Sequence, residues 1–222
     1  AGLAGSGAAY QGLFRNPLAD PYLIGVASGA GLGGVAAMAA GLSQKSLLGL
    51  MAVPLAAFAG ALLTVAVVYR LAKVGKTAPT TNLLLAGVAI SSFATALTSF
   101  LMLISTGELR RAVVWLMGGA SMGGWKPVLA ILPFILPGML GLLLSGHSLN
   151  VLQFGEEQAE QMGLRVGRHR TLIIISASLT TAAAVAFGGI IGFIGLIVPH
   201  MVRFFSGADY WRILPLSLIG GA

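Results

Sequence analysis

Cysteine is absent from these 222 residues. No disulfide or thiolate metal site can form within them, and the redox compartment leaves no trace in the sequence. Charge is almost as scarce. Only 9% of the residues are Asp, Glu, Lys or Arg, against about a quarter in soluble domains. Acid is the rarer sign, with 6 Asp and Glu against 13 Lys and Arg, and the net charge is +7. None of these groups stands midway along a long apolar run. That removes the mid-membrane ionisable group on which ion-coupled carriers and most intramembrane enzymes depend. No secretory signal is visible in these residues either. The opening AGLAGSGAAY has no basic region and reads as helix interior.

What fills the chain is apolar. Hydrophobic residues make up 57% and the mean hydropathy is +0.93, more apolar surface than a soluble domain of this size can hide. The expectation is an integral membrane protein, all-α, folded as a polytopic helix bundle. Five uncharged runs exceed the ~20 residues needed to cross a bilayer: Pro21–Gln44, Ser46–Tyr69, Thr77–Gly107, Pro127–Gly155 (containing His147) and Thr171–Pro199. Glycines and Pro199 divide the last into helices near Thr171–Phe187 and Ile191–Phe205. With partial runs at Ala1–Phe14 and Ile213–Ala222, this predicts six complete spans and two partial ones, a chain truncated at both ends.

The basic residues then set the orientation. Alternating from an inside Arg15 loop puts Arg15, Arg70, Lys73, Lys76, Arg165, Arg168, Arg170, Arg203 and Arg212 in the cytoplasm. Lys45, Arg110, Arg111 and Lys126 fall outside. The asymmetry satisfies the positive-inside rule, so the excess of base needs no nucleic acid to explain it.

Glycine is abundant, at 32 residues. Gly29, Gly31, Gly33 and Gly34, followed by Ala36, Ala37, Ala39 and Ala40, offer a smooth helix surface for close packing. The same glycines satisfy G-x-G-x-x-G, but no strand precedes them and no acid follows about 20 residues on, so a dinucleotide site is excluded. Gly75-Lys76-Thr77 lacks the earlier glycine of a phosphate-binding loop. His147, His169 and His200 share no metal-ligand spacing, and His200 is expected at a helix break beside Pro199. Ser91, Thr95 and Ser99 recur every four residues and share one helix face. They either bond to their own helix backbone or line a polar pathway.

One short stretch concentrates the charge. FGEEQAEQMGLRVGRHR, Phe154–Arg170, contains Glu156, Glu157, Glu160, Arg165, Arg168 and Arg170. Glu156–Met162 is long enough for two helical turns, with acids in the first turn where the helix dipole favours them and Gly163 as a stop. Leu164 to Gly167 permits a second short turn. So short a helix needs packing to persist. Phe154, Ala159, Met162, Leu164 and Val166 offer apolar contact inside a ring of mixed charge, a surface suited to a protein partner. Anchoring of lipid headgroups by the arginines is the alternative, and the three glutamates weigh against it.

RNPLADPYLIGVASGAGLGG (Arg15–Gly34), WLMGGASMGGW (Trp115–Trp125), LNVLQFGEEQAEQMGLRV (Leu149–Val166) and GFIGLIVPHMVRFFSGADYWRILPLS (Gly192–Ser217) resemble, in this order, the membrane permeases of bacterial ABC importers for iron–siderophore complexes, haem and cobalamin, the FecCD type. The resemblance covers essentially the whole chain. It implies a fold of ten helices per subunit, of which this chain spans late in the second to early in the ninth, as one permease domain over 1–222. It implies a multi-pass protein of the bacterial inner membrane, working with a second permease copy or homologue. Two cytoplasmic ATPase subunits and an extracytoplasmic substrate-binding protein are the further partners, with ATP and Mg held by the ATPase and no cofactor on this chain. The segment 154–170 matches the family's pair of short coupling helices. That carries an ATPase-coupling role onto Phe154, Gly155, Glu156, Glu157, Glu160, Met162, Gly163, Leu164, Arg165 and Arg168. Arg110 and Arg111 are weaker candidates for contact with the binding protein, and Ser91, Thr95 and Ser99 for the pathway. The other function classes open to such a sequence are an ion-coupled secondary transporter and a structural membrane protein.

Overall fold

The computed structural model describes residues 1–42, 47–75, 78–105, 107, 109–118 and 125–222. Lys45 and the Lys76-Thr77 pair lie outside these residues, as does part of the Trp115–Trp125 motif. Among the described residues there are eleven helices and no strands. The chain folds as two compact units. The first comprises 1–21, 132–181 and 192–222, and the second 22–131 and 182–191.

The second unit is built from α2 (Val26–Ala39), α3 (Leu47–Ala72), α4 (Thr80–Ile104) and α5 (Leu109–Leu116). α2 presents Gly29 and Gly33 to Ala56, Gly60 and Thr64 of α3. These residues recur at four-residue spacing on both helices, so the two backbones come into direct contact. A Cβ on Gly33 would overlap the Ala56 carbonyl oxygen, and one on Gly60 would overlap that of Gly29. The glycine stripe is therefore a packing surface, as expected. Gly34 supports the ring of Trp115 from α5.

The first unit is centred on α1 (Gly2–Leu13), every residue of which is buried. Around it lie the 166–181 part of α9 (Val166–Gly188), α10 (Ile194–Ser206), α11 (Tyr210–Gly220) and α7 (Gly146–Leu152). Buried polar groups of α1 find specific partners here. Ser6 Oγ donates to the Ala177 carbonyl at 3.0 Å and the Tyr10 hydroxyl lies 2.9 Å from Ser178 Oγ. In a medium without water such groups must be satisfied internally. Pro199 stands inside α10 and has no N–H to give the Gly195 carbonyl, four residues earlier. Gln11 Nε2 donates to that carbonyl instead, at 3.3 Å. The helix consequently runs through Pro199, and the expected break beside His200 lies earlier, at 189–193.

Among the described residues, four helices are long and apolar enough to cross a membrane: the Met51–Ala72 part of α3, α4, the Pro127–Leu144 part of α6 (Trp125–Leu144), and α9. α2 and α10 have 14 and 13 residues. At 1.5 Å per residue each is about 20 Å long, less than the ~30 Å hydrocarbon core. Both start from a left-handed residue, Gly25 and Phe193. The turn before α2 lies against Gly87, about two turns inside α4. The Tyr22 hydroxyl there donates to the Ile191 carbonyl at 2.8 Å and accepts from the Ile191 N–H at 3.3 Å. Irregular backbone at membrane depth survives where protein supplies such partners. Two of the six predicted complete spans are thus shorter helices fed by irregular segments.

Candidate functional site

The charged stretch owes its shape to three interruptions. Ser145 follows the last residue of α6, its hydroxyl donating to the Gly141 carbonyl at 2.7 Å, so the predicted span Pro127–Gly155 stops eleven residues early, at Leu144, and α7 follows as a separate helix. Gly155, with φ of 111°, opens α8 (Glu156–Gln161). Gly163 closes it at φ 86°, with the Gly163 N–H on the Glu160 carbonyl and the Leu164 N–H on that of Ala159, each at 2.9 Å. This is the glycine stop expected from the sequence. The second short turn is not separate. Val166–Arg170 forms the first turn of α9, because Gly167 keeps a helical conformation and His169 N–H bonds to the Arg165 carbonyl at 3.1 Å.

The apolar residues of this segment divide between two faces. Ala159 and Val166 are buried against the protein, whereas Phe154 and Met162 are 69% and 56% exposed. Phe154, Gln158, Gln161 and Met162 line a concavity of about 360 Å³. Glu157, Glu160, Arg165 and Arg168 are exposed around it, and Leu164 is half-buried. Glu156 behaves differently. It forms an ion pair with Arg170, whose side chain is almost wholly buried. The pair crosses the Gly163 turn and fastens α8 to the base of α9. Ser148 Oγ and His169 Nδ1, 2.7 Å apart, fasten α7 to the same place. Neither link follows a local periodicity, so spacing alone could not reveal them. The retrievable signal was that Arg170 opens a long apolar run and needs an acid to be buried there.

The hydroxyl line on α4 is displaced from its predicted position. Thr95 and Ser99 are exposed, but Ser91 turns toward the protein, where a Cβ on Gly25 would come within 3.3 Å of its hydroxyl. Ser92 takes its place on the exposed face and donates to the Val88 carbonyl at 2.9 Å. Thr98 is buried and donates to the Ala94 carbonyl at 2.8 Å. A helical step of 100° explains the substitution: Ser92 lies within about 60° of both Thr95 and Ser99. Arg110 and Arg111 are exposed on α5. Its two buried residues, Ala112 and Trp115, are three apart, and that amphipathic spacing makes eight residues a helix inside a segment the sequence left unassigned.

Comparison with known proteins gives the family and the fold. The profile of the FecCD transport family matches residues 1–222. The chain is 47% identical to a cobalamin import system permease protein, BtuC, of Halobacterium salinarum, aligning over 100% of this chain and 59% of that protein. It is 41% identical to an uncharacterized ABC transporter permease, YvrB, of Bacillus subtilis, over 100% of this chain and 63% of that one. It is 39% identical to a hemin transport system permease, HmuU, of Yersinia pestis, over 99% and 66%. The chain therefore spans about three fifths to two thirds of the length of these relatives. A solved structure described as an inward-facing conformation of a metal-chelate type ABC transporter superposes with a TM-score of 0.88 at 34% identity, covering 99% of this chain and 70% of that one. With the family profile running from the first residue to the last, and with the fold of that structure, this multi-pass membrane chain belongs to the FecCD transport family.

Proposed function

We propose that this chain is part of the permease subunit of an ATP-binding-cassette importer for a metal chelate of the iron–siderophore, haem or cobalamin kind. In this reading two permease copies, or a copy and a homologue, enclose the pathway in the cell membrane. Two cytoplasmic ATPase subunits hold ATP and Mg, and a binding protein delivers substrate from outside, with Arg110 and Arg111 among its contacts. The chain itself performs no chemistry and holds no cofactor. The observation that carries the reading is α8. It has six residues and cannot persist alone, yet it is anchored at its first residue by Arg170 and presents Phe154 and Met162 outward. Such a feature suits force transmission to a docked partner, and none of the charged side chains in these 222 residues stands midway along an apolar run, as ion coupling through them would require. The energy would come from the different affinities of ATP for two conformations of the assembly. Co-expression of the complete subunit with an ATPase subunit from the same genome should yield a complex that survives purification. A permease that purifies well folded and without ATPase overturns the proposal.

The face formed by Ser92, Thr95 and Ser99 borders the pathway. These 222 residues contain no cysteine, so in a complete subunit cleared of any other thiol, single cysteines report on each position. S92C, T95C and S99C should react with a charged thiol reagent in at least one nucleotide state, and S91C should react more slowly. Reaction needs thiolate, which hydrocarbon suppresses. Protection at all three positions in every nucleotide state would assign this face to lipid.

A further inference from the structure

α7 is tied at its other end to a place that the coupling reading leaves out. Asn150 Nδ2 donates to Asp209 Oδ1 at 2.6 Å, and Asn150 Oδ1 accepts the Tyr210 N–H at 2.8 Å. Gln153, one turn further on, donates from Nε2 to the Ala208 carbonyl and to Asn150 Oδ1, both at 3.2 Å. Asp209 is also the N-cap of α11, accepting from the Trp211 N–H at 3.0 Å. Gly146, at the start of α7, lies against the indole of Trp211. The turn between α10 and α11 is thus held along the length of α7, and four residues beyond Asn150 the chain reaches Phe154, with α8 starting two residues later. The Asp209 carboxyl sits below the usual carboxylate range, chiefly because Asn150 donates to it, with further help from the Trp211 N–H and Arg212 against some desolvation.

We infer that Asn150 and Asp209 form a latch that passes movement of α8 to the α10–α11 turn. The inference rests on α8 being the ATPase contact. Movement of α8 has two exits: one through Arg170 to α9, the other through α7 and the latch to the short α10 and to α11. Asn150 and Asp209 are positioning residues, touching neither substrate nor nucleotide. Their bonds lie at the surface, where loss of one is tolerated by the fold, so a disrupting variant remains assembled.

The test uses the complete permease purified with its ATPase, carrying Leu216→Cys on α11, a position that is 42% exposed. The readout is its labelling rate by a water-soluble maleimide, without nucleotide and with ATP and vanadate. N150D places two carboxylates at hydrogen-bonding distance and breaks the latch by repulsion. N150D/D209N reverses donor and acceptor and restores it, and the new amide oxygen at position 209 can still accept from the Trp211 N–H. The nucleotide-dependent change in rate, about fivefold for a coupling of ordinary strength, should vanish in N150D and return in the exchanged pair, with ATPase bound throughout. No change in the wild type, a change that survives in N150D, or a loss that the exchanged pair does not repair overturns the latch while leaving ATPase docking intact. Absence of ATPase from the wild-type preparation overturns the coupling reading, and the latch with it, before any variant is made.

Discussion

Gly33→Ala and Gly60→Ala should each destabilise the protein, although alanine is the better helix former by about 1 kcal/mol. Propensity and packing predict opposite signs here. The added methyl of Gly33→Ala would meet the Ala56 carbonyl oxygen, and that of Gly60→Ala the Gly29 carbonyl oxygen. Backbone cannot rotate away as a side chain can, so α2 and α3 must separate and lose dispersion contact along their whole seam. Overpacking of this kind costs about 1–3 kcal/mol, or roughly 2–12 °C of melting temperature for a chain of this size. Two other glycines serve as controls. A Cβ on Gly31 would come within 3.2 Å of a Leu116 methyl, which can shift, and one on Gly167 meets nothing within 4 Å. Gly31→Ala should be nearly neutral and Gly167→Ala slightly stabilising. Thermal aggregation of the four variants in detergent gives the order directly. If Gly33→Ala melts at or above the wild type, the α2–α3 contact is looser than the structure shows.

That contact also shows where sequence reasoning succeeds in a membrane protein and where it stops. Length of apolar run and spacing of small residues identified α1, α2, α3, α4, α6, α9, α10 and α11 and the packing face of α2, because each is a local property of one helix. Hydropathy could not see that the run Pro21–Gln44 begins with a turn, or that a turn at Ser145 divides Pro127–Gly155. Irregular backbone inside protein is as apolar in composition as helix, and only its partners distinguish it. Tyr22 finds its partner at Ile191 and Gln11 at Gly195, far apart in sequence. The charged stretch was legible as a short helix with a glycine stop. The division of labour among its charges was not, since Arg170 and Glu156 meet only when the chain has turned at Gly163.

Phe154→Ala with Met162→Ala should weaken capture of the ATPase more than Glu157→Lys with Glu160→Lys, and both should leave the permease folded. All four side chains are exposed, so the fold loses little. On the coupling reading the two apolar side chains flank the concavity on α8 and would be desolvated by a partner. Residues of that kind carry most of the energy of an interface, commonly about 2 kcal/mol or more each, which corresponds to about 30-fold or more in affinity. The glutamates lie at the rim, where an exposed ion pair contributes about 0–1 kcal/mol, and their effect should fade as salt rises. Glu156→Lys belongs to a third class. It places a cation against the buried Arg170 guanidinium, so it should dislodge α8 and reduce ATPase capture at every salt concentration. Titration of immobilised permease with purified ATPase at low and high ionic strength separates the three. Equal binding by wild type and the Phe154→Ala, Met162→Ala variant would move the docking surface off this face of α8. A Glu156→Lys defect that high salt repairs would show that Glu156 meets the partner directly instead of bracing the helix through Arg170.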